Sequence, residues 1–290
     1  MKFLAFADLH LRESRPVCRP DDEDWIKTQE RVINFIAETA EKENVDQIII
    51  AGDVFDSWKN KSMFFLNKCA TWLQRLSMNV GVMAIPGNHD FYSTDLKVLE
   101  STPYGLFTKF GIWFDPDDYW FASKYLHIDK EPKPRDKLVC VVHRCLYLNE
   151  KPYPGIPETG NVEYFVKHFI RPNCRLVISG DNHQPFVCQI DDTLVVNCGS
   201  VFRMRSQQAN YTPAVWLCEV DKNRANAKPI YIPLECKIKS HFITNNTLKD
   251  VVGDITGTFE VGEFSDNFKN LVKDDIDKTK LILKFEGTLR

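Results

Sequence analysis

Short apolar runs alternate with amphipathic segments through the first ninety residues of the chain. Three of the runs have the length of buried strands: 2–7, 45–52 and 79–87. Two longer segments between them repeat apolar residues at helical spacing: 24–43 and 61–76. This strand–helix–strand repetition predicts a βαβ core with parallel strand pairing.

The pattern changes after about residue 110, where the apolar runs become short and follow one another more closely. The strands predicted there are 119–121, 137–142, 175–179, 186–190, 194–198 and 214–220. Asp191 and Asp192 form a turn signal that predicts a hairpin between two of these strands. Two proline-rich segments, 130–136 and 149–161, are predicted loops.

A second change in character near residue 235 predicts a domain boundary. Residues 1–234 form the predicted main domain, and residues 235–290 suggest a small strand–helix–helix–strand unit, either a minimal α+β appendage or a truncated cap. A length of 290 residues with 43% hydrophobic positions suits one large globular domain with such an appendage.

Composition limits the environment and the partners of the chain. The formal net charge is −3, so a surface for nucleic acid, if present, has to be local. Nine cysteines without a CxxC pair are typical of reduced thiols in a cytoplasmic protein. Asp8 and His10 interrupt the apolar N-terminal run, which predicts a core strand and not a signal peptide, and no run is long enough to span a membrane.

Five of the predicted strands end at clusters of polar side chains. The clusters are Asp8 with His10, Asp53 with Asp56, Asn88 with His89 and Asp90, His143, and Asp181 with His183. One Asp-x-His after a strand is more often a turn than a metal site. Five such clusters at strand ends point instead to one site, because α/β sheets bind ligands beyond the carboxyl ends of their strands. Carboxylate, imidazole and carboxamide groups together suit divalent transition ions.

The order D-x-H, GDxxD, GNHD, a lone histidine and G-x-x-H resembles the calcineurin-like metallophosphoesterase superfamily over residues 1–220. The resemblance implies an α/β fold of four layers, an α-β-β-α sandwich of two facing sheets with helices outside. It also implies a two-metal centre at one edge. In that centre one ion is held by Asp8, His10 and His183, Asp53 bridges both ions, and the second ion is held by Asn88 and His143.

The same resemblance implies roles for the neighbouring residues. His89 is expected to contact the phosphate or protonate the leaving oxygen, and Asp56 is expected to orient His89. Asp90 has two open interpretations, a member of the polar cluster or a cap on the turn after it. Asp181 departs from the Gly-His-x-His of the superfamily. We expect it to be an oxygen ligand of the second ion that favours Mn²⁺ or Mg²⁺ over Zn²⁺, with a half-lost metal site as the alternative.

Three stretches, "DLHL", "GDVFDSWKNKS" and "NCGSVFRMR", are similar to the Mre11/SbcD branch of DNA-repair nucleases, which includes bacteriophage members of similar length. This resemblance implies Mn²⁺-dependent hydrolysis of DNA. The cations expected to position phosphates at the metal rim are Arg12, Arg15, Lys59, Lys61, Arg203 and Arg205. The acidic run 21–24 directly follows the arginine-containing loop after His10 and weakens the field of that loop.

The resemblance to this branch also bears on partners and leaves alternatives open. It implies a homodimer and an SMC-like ATPase partner of the Rad50/SbcC type, although no ATPase-binding tail is visible after residue 286. Two other functions fit the same motifs. One is a phosphodiesterase or phosphatase for a small nucleotide or another phosphoester, and the other is a catalytically weak DNA-binding scaffold that retains the fold.

Overall fold

A computed structural model describes the chain over residues 1–59, 61–91, 96–109, 122–125, 137–152, 156–205 and 208–233. Three predictions lie outside these residues: the strand at 119–121, the proline-rich loop at 130–136 and the appendage at 235–290.

The first sheet contains the three strands predicted in the βαβ core. They are β1 (Lys2–Phe6), β2 (Gln47–Ala51) and β3 (Gly81–Ile85), and they pair in parallel in that order. Two later strands, named here β9 (Ala214–Val220) and β10 (Ala225–Tyr231), extend the sheet on the free side of β1 by antiparallel pairing. The complete order is β10-β9-β1-β2-β3, so β10 is an edge strand.

The second sheet is built from the short strands of the second half. They are β4 (Ala122–Tyr125), β5 (Val139–His143), β6 (Leu176–Gly180), β7 (Phe186–Ile190) and β8 (Thr193–Asn197), in the order β4-β5-β6-β8-β7. Only β7 is antiparallel to its neighbour, because it forms a hairpin with β8. Asp191 has the positive φ of 48° that this tight turn requires, as the turn signal predicted.

Four α-helices lie in the described part of the chain: α1 (Trp25–Lys42), α2 (Met63–Ser77), α3 (Pro103–Lys109) and α4 (Val162–Phe169). Asp24 caps α1 by accepting a hydrogen bond from the Lys27 backbone N–H, and Ser62 caps α2 in the same way through Phe65. The two long helices were predicted from their periodicity. The sequence analysis missed α3, α4, β4 and β10.

The alternation of side chains along β1 shows how the layers are packed. Phe3 and Ala5 belong to an apolar cluster that contains residues of both sheets, including Val141 of β5. Leu4 and Phe6 point the opposite way, into a cluster with α1 and α2. A third cluster joins the outer face of the second sheet to α4. The predicted four-layer α-β-β-α sandwich is therefore confirmed.

Two further features concern the environment of the chain. Among the described residues, no helix has both the length and the apolar character that crossing a bilayer demands. The eight cysteines in this part of the chain are free thiols, and most of them are buried.

Candidate metal centre

The polar clusters predicted at the strand ends meet at one edge of the sandwich. Three sets of side chains there bring possible ligand atoms within 4.8 Å of one another. These sets are Asp8 with His10 and His183, Asp8 with Asp53 and His143, and His10 with Asp53 and His89. The carboxyl ends of β1, β2, β3, β5 and β6 supply them, as expected for a sheet with parallel strands.

Backbone pairing continues beyond the ends of β1 and β2 and fixes their polar residues. The N–H groups of Asp8 and His10 donate to Gly52 and Asp53 carbonyls at 3.1 and 3.0 Å. Asp8, His10 and Asp53 have positive φ angles of 52°, 46° and 51°. A non-glycine residue in this region costs about 1–3 kcal/mol, and such strain is concentrated at functional sites. The regular pairing explains how the loops hold three strained residues in place.

Two glycines leave room for side chains of the centre. A Cβ atom on Gly52, which has a φ of 94°, would lie 2.1 Å from His143 Nδ1. A Cβ atom on Gly87 would lie 2.0 Å from Asp53 Oδ1. Glycine is therefore required at both positions for His143 and Asp53 to sit where they do.

The first half of the centre consists of Asp8, His10 and His183. The Nε2 atoms of the two histidines are 3.2 Å apart, and Asp8 Oδ1 lies 3.9 Å from His10 Nε2 and 3.8 Å from His183 Nε2. Burial lowers the pKa of both imidazoles, that of His183 to about 3. They are therefore neutral near pH 7, with ring nitrogens available as ligands.

The second half contains Asp53, Asn88 and His143. His143 Nδ1–H donates to the Ala51 carbonyl at 2.8 Å, which turns Nε2 toward Asp53 Oδ2 at 3.4 Å and Asn88 Oδ1 at 2.9 Å. A backbone acceptor on one ring nitrogen is the usual way to present the other nitrogen to a metal. Asp53 Oδ2 also lies 3.6 Å from His10 Nε2, so this carboxylate stands between the two halves.

The buried carboxylates and imidazoles of the centre shift one another's pKa values. Burial opposes the ionisation of Asp53, but the neighbouring histidines, His143 above all, hold its pKa well below the usual range. Burial also acts against charge on His143, yet Asp53, Asp181 and Asp8 raise the pKa of this imidazole. For Asp8, burial and then the like charges of Asp53 and Asp181 outweigh His143 and raise the pKa. The carboxylates of the centre therefore oppose one another's ionisation, and a neighbouring cation relieves this repulsion.

These observations test whether the residues fit divalent ions. Asp8 and Asp53 are 0% and 1% exposed, and buried carboxylates this close together need a compensating cation. Imidazole nitrogens and carboxylate and carboxamide oxygens surround the same space, which is the ligand chemistry of divalent transition ions. The residues fit a two-ion centre. The identity of each ligand remains a prediction.

Asp181 lies at this edge without belonging to any of the ligand sets found among the described residues. Its backbone has a φ of 78°, and its N–H donates to both carboxylate oxygens of Asp8 at 3.2 Å. Its charge acts on both Asp8 and His143. Its role as a ligand of the second ion stays a prediction.

The contacts of His89 differ from those expected from the predicted pairing with Asp56. Its backbone N–H donates to Asp53 Oδ1 at 2.9 Å, and its ring packs edge-on against His10 with 4.7 Å between centroids. His89 Nδ1–H donates to the backbone carbonyl of Asp56 at 2.7 Å. The Asp56 carboxylate instead pairs with Lys61 and lies near Arg12. Asp56 therefore contacts His89 through its backbone carbonyl and not through its carboxylate, and its role in orienting the ring stays a prediction.

Asp90 has a structural role. Its carboxylate accepts backbone hydrogen bonds from Val54 at 3.1 Å, Phe55 at 2.9 Å and Gly87 at 2.8 Å. Burial, followed by the charge of Asp53, raises the pKa of Asp90 to about 7. Asp90 therefore joins the loop after β2 to the loop after β3.

The cations predicted to contact DNA differ in their exposure and in the groups that they contact. Arg203 is buried, with Nη1–H donating to the Ala209 carbonyl at 3.0 Å, so the prediction that it contacts DNA is not supported by its position. Arg15 donates to the carbonyls of Pro20 and Asp22. Lys59 and Arg205 are exposed, and the charge of Arg205 contributes to the low pKa of His10 and His183.

Two buried amides that support the site were missed in the sequence analysis. Asn197 Nδ2 donates to the carbonyls of Asn182 and Gln184, which shapes the loop that carries His183. Its signal was a lone polar residue in the apolar run "LVVNC". Gln208 Oε1 accepts from the backbone N–H groups of Met204 and Arg205. No pattern in the sequence distinguished Gln208.

The fold and the centre define a metal-dependent phosphoesterase. Residues 1–185 match the family model described as calcineurin-like phosphoesterase. The match covers more than half of the 290 residues, and the chain belongs to this family. The predicted superfamily is thereby confirmed.

Two solved structures are distant likenesses of this chain. A novel archaeal phosphodiesterase is 15% identical with a TM-score of 0.38, over 79% of this chain and 100% of that one. A dimetal phosphatase from Danio rerio is 12% identical with a TM-score of 0.49, over 79% of this chain and 95% of that one. At such values neither structure adds to the family assignment.

Proposed function

We propose that the phosphoester hydrolysed by this chain is a phosphodiester of DNA and that the centre works with two Mn²⁺ ions. The proposal is carried by Arg205, an exposed residue whose charge helps to lower the pKa of two histidines of the centre, His10 and His183. A cation in this position can hold a phosphate beside the one being cleaved. The stretch that contains Arg205, "NCGSVFRMR", is also one of the three that resemble the Mre11/SbcD nucleases.

In this proposal, Asp8, His10 and His183 hold one ion, Asn88, His143 and Asp181 hold the other, and Asp53 belongs to both. Two bound divalent ions would supply a reactive water at neutral pH and offset the charge of the phosphoryl group. The oxygen-rich ligand set, with Asp181 where the superfamily has histidine, favours Mn²⁺ or Mg²⁺.

His89 handles the leaving oxygen in this proposal. A carbonyl can only accept, so the hydrogen bond to Asp56 keeps a proton on His89 Nδ1 and leaves Nε2 as the working atom. Nε2 can then give a second proton to the leaving oxygen. A positioned acid of this kind contributes about 10²–10⁴-fold in rate.

A small phosphodiester is the second candidate substrate, and one observation favours it. Arg203 is buried and the Lys61 side chain is only 9% exposed, which removes two cations from the predicted DNA surface. A shorter cationic surface contacts fewer phosphates and suits a small nucleotide better than extended DNA.

A substrate panel separates these candidates. Linear, single-stranded and hairpin DNA, cyclic nucleotides and an aryl phosphodiester would each be assayed with Mn²⁺, Mg²⁺ and Zn²⁺. We expect DNA to be cleaved fastest with Mn²⁺. Hydrolysis of cyclic nucleotides alone would favour the small phosphodiester as substrate. If no substrate is hydrolysed, the remaining hypothesis is a catalytically weak DNA-binding scaffold.

Arg205→Gln tests the observation that carries the proposal. We expect weaker DNA binding with a salt dependence reduced by about 0.7–0.9 in log–log slope, the amount for one lost phosphate contact. Metal binding should be retained. Lys167→Gln is a suitable control, because Lys167 is an exposed cation on α4 that pairs with Glu163. Unchanged DNA binding in Arg205→Gln would contradict the DNA assignment.

A further inference from the structure

The carboxylate of Asp56 is clamped by two cations from other segments. Lys61 Nζ contacts Asp56 Oδ1, and Arg12 Nε lies 3.7 Å from Asp56 Oδ2. Only 9% of the Lys61 side chain is exposed, so its ammonium group is largely withdrawn from solvent and directed at this carboxylate. A lysine with so little exposure is normally paired, and here the pair adjoins the metal centre.

The segments on either side of this clamp are themselves fixed. The Arg12 backbone N–H donates to Gln29 Oε1, and Gln29 Nε2 donates back to the Arg12 carbonyl, both at 3.0 Å. Gln29 is fully buried in α1. The Asp56 N–H donates to the Leu11 carbonyl at 3.2 Å. Asp56 is therefore fixed to the β1 loop through its backbone and to the start of α2 through Lys61.

The backbone carbonyl of Asp56 links this fixed segment to His89 by a hydrogen bond. It accepts the Nδ1 proton at 2.7 Å and so sets both the tautomer and the ring direction. We propose that Lys61 is a positioning residue, supported by Arg12: by holding the Asp56 carboxylate it fixes the Asp56 carbonyl and thereby aims His89 Nε2 at the leaving oxygen. This inference rests on the proposed role of His89 in phosphodiester hydrolysis, but not on DNA as the substrate.

The ion pair of Lys61 with Asp56 is expected to affect one part of the hydrolysis, the protonation of the leaving oxygen by His89. A water oxygen bonds to phosphorus, the bond from phosphorus to the leaving oxygen breaks, and the His89 Nε2 proton moves to that oxygen. The proton lost by the water passes to solvent, from which Nε2 is protonated again. A misaligned His89 slows departure of a basic alkoxide, whereas nitrophenolate leaves without a proton. The role of Lys61 should therefore depend on the leaving group.

The test compares Lys61→Met with wild type on two diesters of thymidine 5′-phosphate. One carries a nucleoside as leaving group and the other carries 4-nitrophenol. With saturating Mn²⁺ we expect kcat for the nucleoside diester to fall about 10- to 100-fold, the scale for misplacing a positioned acid. Hydrolysis of the nitrophenyl diester should change little.

Matched variants show whether the effect passes through His89. His89→Gln should give the same selective loss, and Lys61→Met combined with His89→Gln should be no worse than His89→Gln alone, because the two residues act as a unit. Lys61→Arg should restore most of the rate by keeping a cation on Asp56. Lys167→Met, which removes a lysine paired with Glu163 on α4, should leave both substrates unaffected.

Two readouts do not depend on turnover. Calorimetric Mn²⁺ binding should be the same in Lys61→Met and wild type. The imidazole ¹⁵N resonances of His89 should show that Nδ1 no longer carries the proton uniquely. If Lys61→Met does not fold, Asp56→Asn removes the same ion pair while keeping the carbonyl, and it should give the same selectivity.

Equal losses on both diesters, or no loss on either, would overturn the positioning role. Failure of wild type to cleave DNA while both small diesters respond as expected would refute the DNA proposal and leave the role of Lys61 standing. The two proposals can therefore fail separately.

Discussion

Replacing Gly52 by alanine should damage the second half of the metal centre. Gly52 has a φ of 94°, and an added Cβ would lie 2.1 Å from Nδ1 and 2.4 Å from Cγ of His143. His143 is fully buried, so its ring cannot move aside into solvent. The Cβ atom introduced at position 52 therefore has to displace the His143 ring. In the wild-type structure this ring donates from Nδ1 to the Ala51 carbonyl at 2.8 Å, and the displacement breaks that hydrogen bond.

Three contributions set the size of the effect. An alanine in the left-handed region costs about 1–2 kcal/mol. Loss of the buried hydrogen bond from His143 costs about 1–3 kcal/mol, and overpacking of the core costs about 1–3 kcal/mol more. Together they give a loss of about 3–8 kcal/mol in the free energy of unfolding, against a total of about 5–15 kcal/mol for a typical domain.

Urea unfolding and Mn²⁺ calorimetry on the same samples measure the two consequences. Gly81→Ala is the matched control, because its nearest new contact is 3.4 Å away and its φ is not positive. Its stability should change by less than about 1 kcal/mol. Combining Gly52→Ala with His143→Ala should remove the steric part, so the double variant should be more stable than the sum of single effects predicts. The reasoning is refuted if Gly52→Ala unfolds and binds Mn²⁺ like wild type.

Three other substitutions test the roles of individual residues. Asp53→Asn removes the charge that lies 3.6 Å from His10 and 3.4 Å from His143. Hydrolysis should be abolished and metal occupancy lowered, and near-normal turnover would dispose of the two-metal mechanism. His89→Gln should lower kcat by roughly 10²-fold with metal binding retained, whereas loss of metal would show that His89 is a ligand. Asp181→Ala should leave one ion tightly bound and lose the other in calorimetry, and two ions bound as in wild type would exclude Asp181 as a ligand.

Local sequence determined the main elements and the location of the centre. Helix α1 follows from apolar residues at helical spacing after the cap Asp24, since both features act over a few residues. The strands that end at Asp8, Asp53 and His143 predicted a shared edge because parallel strands all point their carboxyl ends the same way.

Elements that depend on a partner were missed. Strand β10, "ANAKPIY", contains Pro229 and the charged residue Lys228, and it is ordered by pairing with β9 at the sheet edge, where proline is tolerated. Helix α4 spans eight residues, too few for periodicity to separate it from a strand. Its apolar face is buried against the second sheet.

Only the tertiary structure decided what individual charged side chains do. Arg203 and Arg205 are two residues apart, yet Arg203 is buried and donates to the Ala209 carbonyl, whereas Arg205 is exposed and its charge acts on His10 and His183. The sequence placed Asp56 near His89, but the clamp by Lys61 and Arg12 determines that the carbonyl makes the contact. Local sequence specifies where a loop begins and which groups it carries. The direction of each side chain depends on contacts with segments far away in the chain, and these exist only once the chain has folded.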